Sequence, residues 1–277
     1  MSELQTLMTG IGLGESPRWH EGRLWFSDWV AEEVIALDLE ENSEVITEVH
    51  SLPFSIDWLP NGPMLITSGQ KLIRMEPDGS LVTHVDLSSL SEHDWNEIVV
   101  DGRGNAYLNN IEFDLMAGEE FRPGIVALVT PEGSARQVAE GVAFPNGMAV
   151  TPDGSTLIIA ESYATKLTAF DIEAEGDLTN RRVWAELDGP PDGICIDAEG
   201  AVWAGAGNRC LRIREGGEVL QAIELDRFCF ACILGGPDRS TLFMMAAEFG
   251  GTEKIGKGPR TGKVLTADAP APGAGWP

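Results

Sequence analysis

Positive charge is scarce in this chain: 19 lysines and arginines stand against 44 aspartates and glutamates, a formal net charge of −25. So acidic a surface repels phosphate backbones and anionic lipid, which argues against nucleic acid or a membrane as partner. Long hydrophobic runs are missing as well. No stretch reaches the roughly 18 apolar residues of a membrane-crossing helix. Residues Met1–Gly10 lack both the basic start and the apolar run of an export signal, so a cytoplasmic protein is expected. Histidine is sparse, and His20, His50, His84 and His93 show no ligand spacing, which disfavours an imidazole-rich zinc site. Of the four cysteines, Cys195, Cys210, Cys229 and Cys232, the last two form a C-x-x-C. That pair has no second pair and no βαβ context, so ordinary buried strand cysteines are expected. Two catalytic signatures also fail. Gly10-Ile11-Gly12-Leu13-Gly14 has no preceding strand and is soon followed by Pro17, unlike a dinucleotide fingerprint. Gly14-Glu15-Ser16-Pro17 is not G-x-S-x-G, and no histidine is placed by motif to complete a Ser-His-acid set.

What the chain does have is a repeat. Phe144–Ser162 opens with Pro145-Asn146-Gly147, alternates into the turn Thr151-Pro152-Asp153-Gly154 and returns as Leu157-Ile158-Ile159-Ala160. That reads as strand, tight turn, strand. The frame recurs from Asn96 to Leu108 and from Asp192 to Trp203, each with an oxygen-bearing side chain about eight residues before the turn glycine. Glu15 to Gly22 is the same frame one residue shorter. A further unit starts near Phe54 and turns at Pro60-Asn61-Gly62, and the last runs from Ala231 through Gly235-Gly236-Pro237-Asp238 to a final strand at Gly262–Thr266. The unit from Asn96 carries an insertion, Asn110–Pro123. Six units of short strands with almost no helical periodicity predict an all-β fold, a six-bladed β-propeller formed by residues 1–277 as one domain. The Ala-, Pro- and Gly-rich tail, Ala267–Pro277, is expected to be poorly ordered.

In a propeller the innermost strand of each blade lines the axis, so equivalent starting positions form a ring. Those positions are Glu15, Phe54 or Ser55, Asn96, Asn146, Asp192 and Ala231. An Asn-Gly or Asp-Gly pair alone is usually a turn. Glu15, Asn96, Asn146 and Asp192 at one station of separate repeats instead suggest an all-oxygen site for one divalent cation, calcium first, with Mn²⁺, Mg²⁺ or Zn²⁺ as alternatives.

The segments Glu15-Ser16-Pro17-Arg18-Trp19, Phe144-Pro145-Asn146-Gly147-Met148, Pro191-Asp192-Gly193-Ile194-Cys195-Ile196-Asp197 and Gly235-Gly236-Pro237-Asp238 resemble the gluconolactonase family that includes regucalcin, from about Gly14 to Ala267. More distantly they resemble diisopropylfluorophosphatase and the paraoxonases. The resemblance implies a channel metal held by Glu15, Asn146 and Asp192, with Asn96 beside it as metal ligand or substrate contact. It implies metal-assisted opening of a lactone, with Asp192 as both ligand and catalytic base. The family's sugar lactonases carry an arginine where this chain has Asp94, and an acid in the insertion that falls here at Asp114. Both are substrate-binding candidates. The opposite charge of Asp94, with Trp95, Ile111, Phe113, Leu115 and Met116 nearby, shifts the expected substrate from a sugar lactone towards a more apolar lactone or ester. The alternatives are a phosphotriesterase- or arylesterase-like hydrolase and a non-catalytic calcium-binding or scaffold propeller. The sequence allows a monomer or a homodimer.

Overall fold

The computed structural model describes residues 4–60 and 62–277. They form six antiparallel sheets arranged as the blades of a propeller. Blade 1 contains the strands Gly14–His20, Arg23–Asp28, Glu33–Leu37 and Ser43–Glu48. Blade 2 begins with Ile56–Trp58, blade 3 with Ile98–Val100, blade 4 with Pro145–Val150, blade 5 with Pro191–Asp197 and blade 6 with Phe228–Gly235. Among the described residues the only helical pieces are two 3₁₀ turns, Ser162–Ala164 and Thr252–Lys254. No helix among them is long and apolar enough to cross a membrane.

The turn that defines the repeat forms as its chemistry demands. Gly104, Gly154 and Gly200 adopt positive φ, and their amides donate to Asp101, Thr151 and Asp197 carbonyls at 2.8–2.9 Å. In blade 2, Gly62 donates to the Leu59 carbonyl at 2.9 Å, and Asn61 of the same expected turn lies outside the described residues. The insertion of blade 3 falls as expected, between strands ending at Asn110 and beginning at Gly124.

First strands of blades 1, 2 and 3 meet around the axis. The Ile56 amide donates to Ser16 Oγ at 3.0 Å, Arg18 donates to the Ile98 carbonyl at 2.6 Å, and the Val100 amide donates to Asp57 at 2.8 Å. Blades 4, 5 and 6 approach still more closely. A Cβ on Gly193 would lie 2.5 Å from the Ala231 Cβ, and one on Gly147 would lie 2.7 Å from the Gly193 Cα. Glycine follows Asn146 and Asp192 because nothing larger fits between the strands. Gly193→Ala should therefore destabilise the fold by about 1–3 kcal/mol. Its melting temperature should drop by roughly 2–12 °C, and an unchanged value would mean the strands are not so close.

Two closures were not legible in the repeat. Gln5–Ile11 pairs with Gly262–Asp268 and becomes the outer strand of blade 6, so the chain's start locks onto its last blade. The tail corrects an expectation. Rather than being poorly ordered, it adds Gly273–Ala274 to the inner edge of blade 5, opposite Ile196 and Asp197, and Trp276 bridges Val150 of blade 4. Trp276 also packs against Gly102 of blade 3, and Gly273 lies against Leu234 of blade 6. The tail thus crosses the end of the axis where the first strands finish, and the opposite end, where they start, is the open face.

Candidate functional site

At that open face the first strands are bulged. Register shifts fall between Glu15 and Arg18, Pro145 and Met148, Pro191 and Ile194, and Cys229 and Ala231. A bulge turns a side chain out of the pleat, here towards the axis. Ser16, just after Glu15, and Phe144, just before Pro145, hold positive φ, a strained conformation of the kind that accumulates at functional sites. The approach to Glu15 is fixed by Asp28, whose buried carboxylate accepts the Gly12 and Leu13 amides at 2.8 and 3.1 Å.

Glu15 is 4% exposed, and its Oε2 is buried with no hydrogen-bond partner. Asp192 is half-buried, and its Oδ1 is likewise buried and unpartnered. Burial pushes the Glu15 carboxyl well above its ordinary range, and the charges of Asp192 and Glu97 push it further. Asp192 is raised by burial and then by the Glu97 charge, against the opposing effect of a hydrogen bond with the Asn146 side chain. Asn96 is 8% exposed and donates its Nδ2 to the Pro145 carbonyl at 3.2 Å. Asn146 accepts the Asn109 Nδ2 on its carbonyl at 2.7 Å. Ser162 next to it donates to the Pro191 carbonyl at 2.7 Å, linking blades 3, 4 and 5 around the site. Asn146 and Asp192 thus meet through a side-chain hydrogen bond, Asn96 holds the backbone of Pro145 beside Asn146, and the Asp192 charge acts on Glu15. The other two ring positions bring no ligand. Ser55 spends its hydroxyl on the Asn96 carbonyl and Glu97, and Ala231 offers a methyl.

This donor set fits a hard divalent cation. Two buried carboxylate oxygens lack partners, the acids repel one another, and amide oxygens stand beside them. Among the described residues no group of three or more His, Cys, Asp or Glu is placed to hold a metal, so any cation here depends on two acids plus amides. The cysteines are all buried and unbridged in strands.

Three groups that sequence reasoning did not single out complete the site. Glu97 is 4% exposed and is pushed up to about 7 by burial, against the opposing charge of Arg18 and the hydrogen bond from Ser55. Arg18 is buried beside it and lies 3.5 Å from Asp57. Asn109 is fully buried, with an unpartnered Oδ1. Beneath the ring, Arg18, Glu97 and Cys232 help line a cavity of only about 10 Å³, room for roughly one water.

Asp94 and Asp114 stand apart from the ring, exposed on loops at the mouth. Burial raises the Asp94 carboxyl, and the Asp114 charge raises it further. Asp114 accepts the Ala117 amide at 2.8 Å, a bond that shapes its own loop. Of the apolar residues expected near the substrate, Trp95 and Phe113 are buried as packing, whereas Met116 is 56% exposed. The exposed apolar wall at the mouth is instead aromatic. Tyr163 stacks on Phe144 at 4.5 Å and meets Phe121 at 5.5 Å, and Phe121 meets Phe113 edge-on at 5.8 Å.

Comparison with known proteins identifies the family and the fold. The family model described as SMP-30/Gluconolactonase/LRE-like region matches residues 13–248. A regucalcin from Xenopus laevis is 30% identical over 256 residues, covering 85% of this chain and 83% of its own length. The pentonolactonase XacC of Haloferax volcanii is 24% identical over 274 residues, covering 93% and 89%. Among solved structures, a luciferin-regenerating enzyme superposes with a TM-score of 0.86 at 17% identity, covering 99% of this chain and 98% of its own, a likeness of fold.

Proposed function

The chain belongs to the SMP-30/gluconolactonase/LRE-like family, and from that premise we propose that it is a divalent-cation-dependent lactonase, with Glu15, Asn96, Asn146 and Asp192 holding the cation and calcium the preferred ion. The observation that carries this reading is the pair of buried, partnerless oxygens, Glu15 Oε2 and Asp192 Oδ1. Leaving such charges bare is costly, and a hard cation held by these residues would offset the cost. When bound, the cation supplies positive charge that polarises the lactone carbonyl and makes a nearby water more acidic.

The chain's own residues supply the rest. Asp192 takes a proton from the water as its oxygen bonds to the carbonyl carbon. The proton passes to the ring oxygen as the acyl–oxygen bond breaks, giving a hydroxy acid. A carboxylate beside a cation is a modest base, so alignment matters, and the Asn146 side chain provides it by hydrogen bonding to Asp192. Because the Asn96 Nδ2 is engaged by Pro145, its side-chain oxygen is left for the cation or the substrate. The tail across the far end of the axis leaves the open face as the route in.

The pentonolactonase relative supports a lactone as the substrate class. Asp94 and the aromatic wall at the mouth favour an apolar lactone over a sugar lactone. A pH-stat panel of sugar lactones, aliphatic lactones, aryl esters and a phosphotriester tests the reading, run after EDTA treatment and again with calcium restored. Calcium-restored turnover should be highest on an aliphatic or aromatic lactone. A folded, calcium-binding protein with no turnover on any ester would refute the enzyme reading in favour of a binding propeller.

A further inference from the structure

The longest loop of blade 6, residues 248–261, lines a cavity of about 330 Å³ together with Leu13, Val30 and Phe230. The floor of this cavity is apolar. Leu13, Phe230 and Ala247 are buried, with Val30 and Ile255 packed against them. Phe230 lies 4.7 Å from Phe228 and 5.6 Å from Phe249, ring centre to ring centre. The rim has the opposite character. Lys254, Lys257 and Arg260 line it, all three are exposed, and none pairs with a carboxylate among the described residues. Elsewhere arginines such as Arg18, Arg181 and Arg212 are held by carboxylates. Among the described residues Glu248 is the one acid lining the cavity, with Glu253 beside Gly251 of its wall, so the three cations outnumber the acids here in a chain of net charge −25.

The cavity is also built into the site's framework. The Asp28 carboxylate that fixes the approach to Glu15 accepts the amides of Leu13 and Val30, two floor residues, at 3.1 and 3.2 Å. The Glu248 amide donates to Thr261 Oγ1 at 3.1 Å, and Arg227 donates to the Thr261 carbonyl, closing the base of the loop. Leu13 comes two residues before Glu15, and Phe230 immediately precedes Ala231, the ring position with only a methyl to offer. The cavity therefore lies beside the ring on its donor-poor side.

We propose, resting on the lactonase reading, that this cavity is a substrate subsite and that the substrate class is a lactone whose apolar ring or chain ends in a carboxylate. The apolar body displaces water from the phenylalanine-lined floor, and the carboxylate sits among the rim cations. A carboxylate is repelled by the rest of this acidic surface, so the three cations both admit and orient it.

Calorimetry with the EDTA-treated full chain tests the subsite without catalysis or metal, using 4-phenylbutyrate and its neutral amide, 4-phenylbutanamide. The carboxylate should bind at least about tenfold more tightly than the amide. That preference should vanish in Lys254→Glu/Lys257→Glu/Arg260→Glu, whose changes are exposed, and Phe249→Ala should weaken both ligands. Equal binding of the two compounds, no binding of either, or a preference that survives charge reversal would overturn the proposal. A parallel arm compares a γ-alkyl lactone ending in a carboxylate with its methyl ester. A lower KM for the carboxylate, lost on charge reversal, supports the subsite. Turnover with no such preference overturns the subsite alone, whereas selective 4-phenylbutyrate binding without lactone turnover overturns the lactonase reading alone.

Discussion

Asp192→Asn should lower lactone kcat by about 10³-fold at saturating calcium, because it removes the group that accepts the water's proton while leaving the shape of the ring intact. The same change should raise the melting temperature of the metal-free protein. Asp192 and Glu15 each carry a buried, unpartnered oxygen; burial pushes both carboxyls upward, the Asp192 charge adding to the rise of Glu15 and the Glu97 charge to that of Asp192. Removing one of two like charges relieves the other, and each kcal/mol gained appears as about 2–4 °C in a chain of this size. Loss of activity together with gained stability is the signature of a residue held against its own stability for function. A variant that lost both would point to a structural role for Asp192, and one that kept its activity would remove Asp192 from the chemistry.

The second large effect is on stability against pH. Glu97 is 4% exposed and is raised to about 7, and Glu15 and Asp192 are raised with it. A carboxyl with a raised folded-state pKa favours the fold while protonated and ceases to do so as pH climbs past that value. The metal-free protein should therefore lose stability between about pH 4.5 and about pH 7, with Glu97 alone contributing about 3 kcal/mol. Calcium should reverse the trend, restoring most at the alkaline end of the range, where the Glu97 carboxyl beside the ring is charged. Thermal melts of EDTA-treated protein from pH 5 to pH 8, with and without calcium, measure this, and Glu97→Gln should flatten the metal-free curve. A metal-free melting temperature that rises across that range would contradict the electrostatic account of the channel.

The candidate site was legible in the sequence because its residues sit at one station of a local frame. Glu15, Asn96, Asn146 and Asp192 precede turn glycines at near-constant distance, and the bulges that aim Asn146 and Asp192 are written as Pro-Asn-Gly and Pro-Asp-Gly. Glu97 left no such trace. It stands beside Asn96 as an ordinary acid, and only the fold shows that it is buried between Ser55 and Arg18. The two closures were hidden for a similar reason. The pairing of Gln5–Ile11 with Gly262–Asp268 joins opposite ends of the chain, and no local pattern encodes it. The tail misled because Ala, Pro and Gly are the residues of disordered segments and also of a short extended edge that turns tightly around Trp276. The cavity lined by residues 248–261 was invisible because its floor comes from blades 1 and 6 and its cations from an irregular loop.

The central claim is that Glu15 and Asp192 would together hold a divalent cation. Calorimetric titration of calcium into EDTA-treated wild-type protein and Glu15→Gln tests it most directly. The account predicts one calcium per wild-type chain, with affinity about 100-fold weaker or worse in Glu15→Gln. No calcium uptake by the wild-type protein, or equal affinity in the variant, would contradict it.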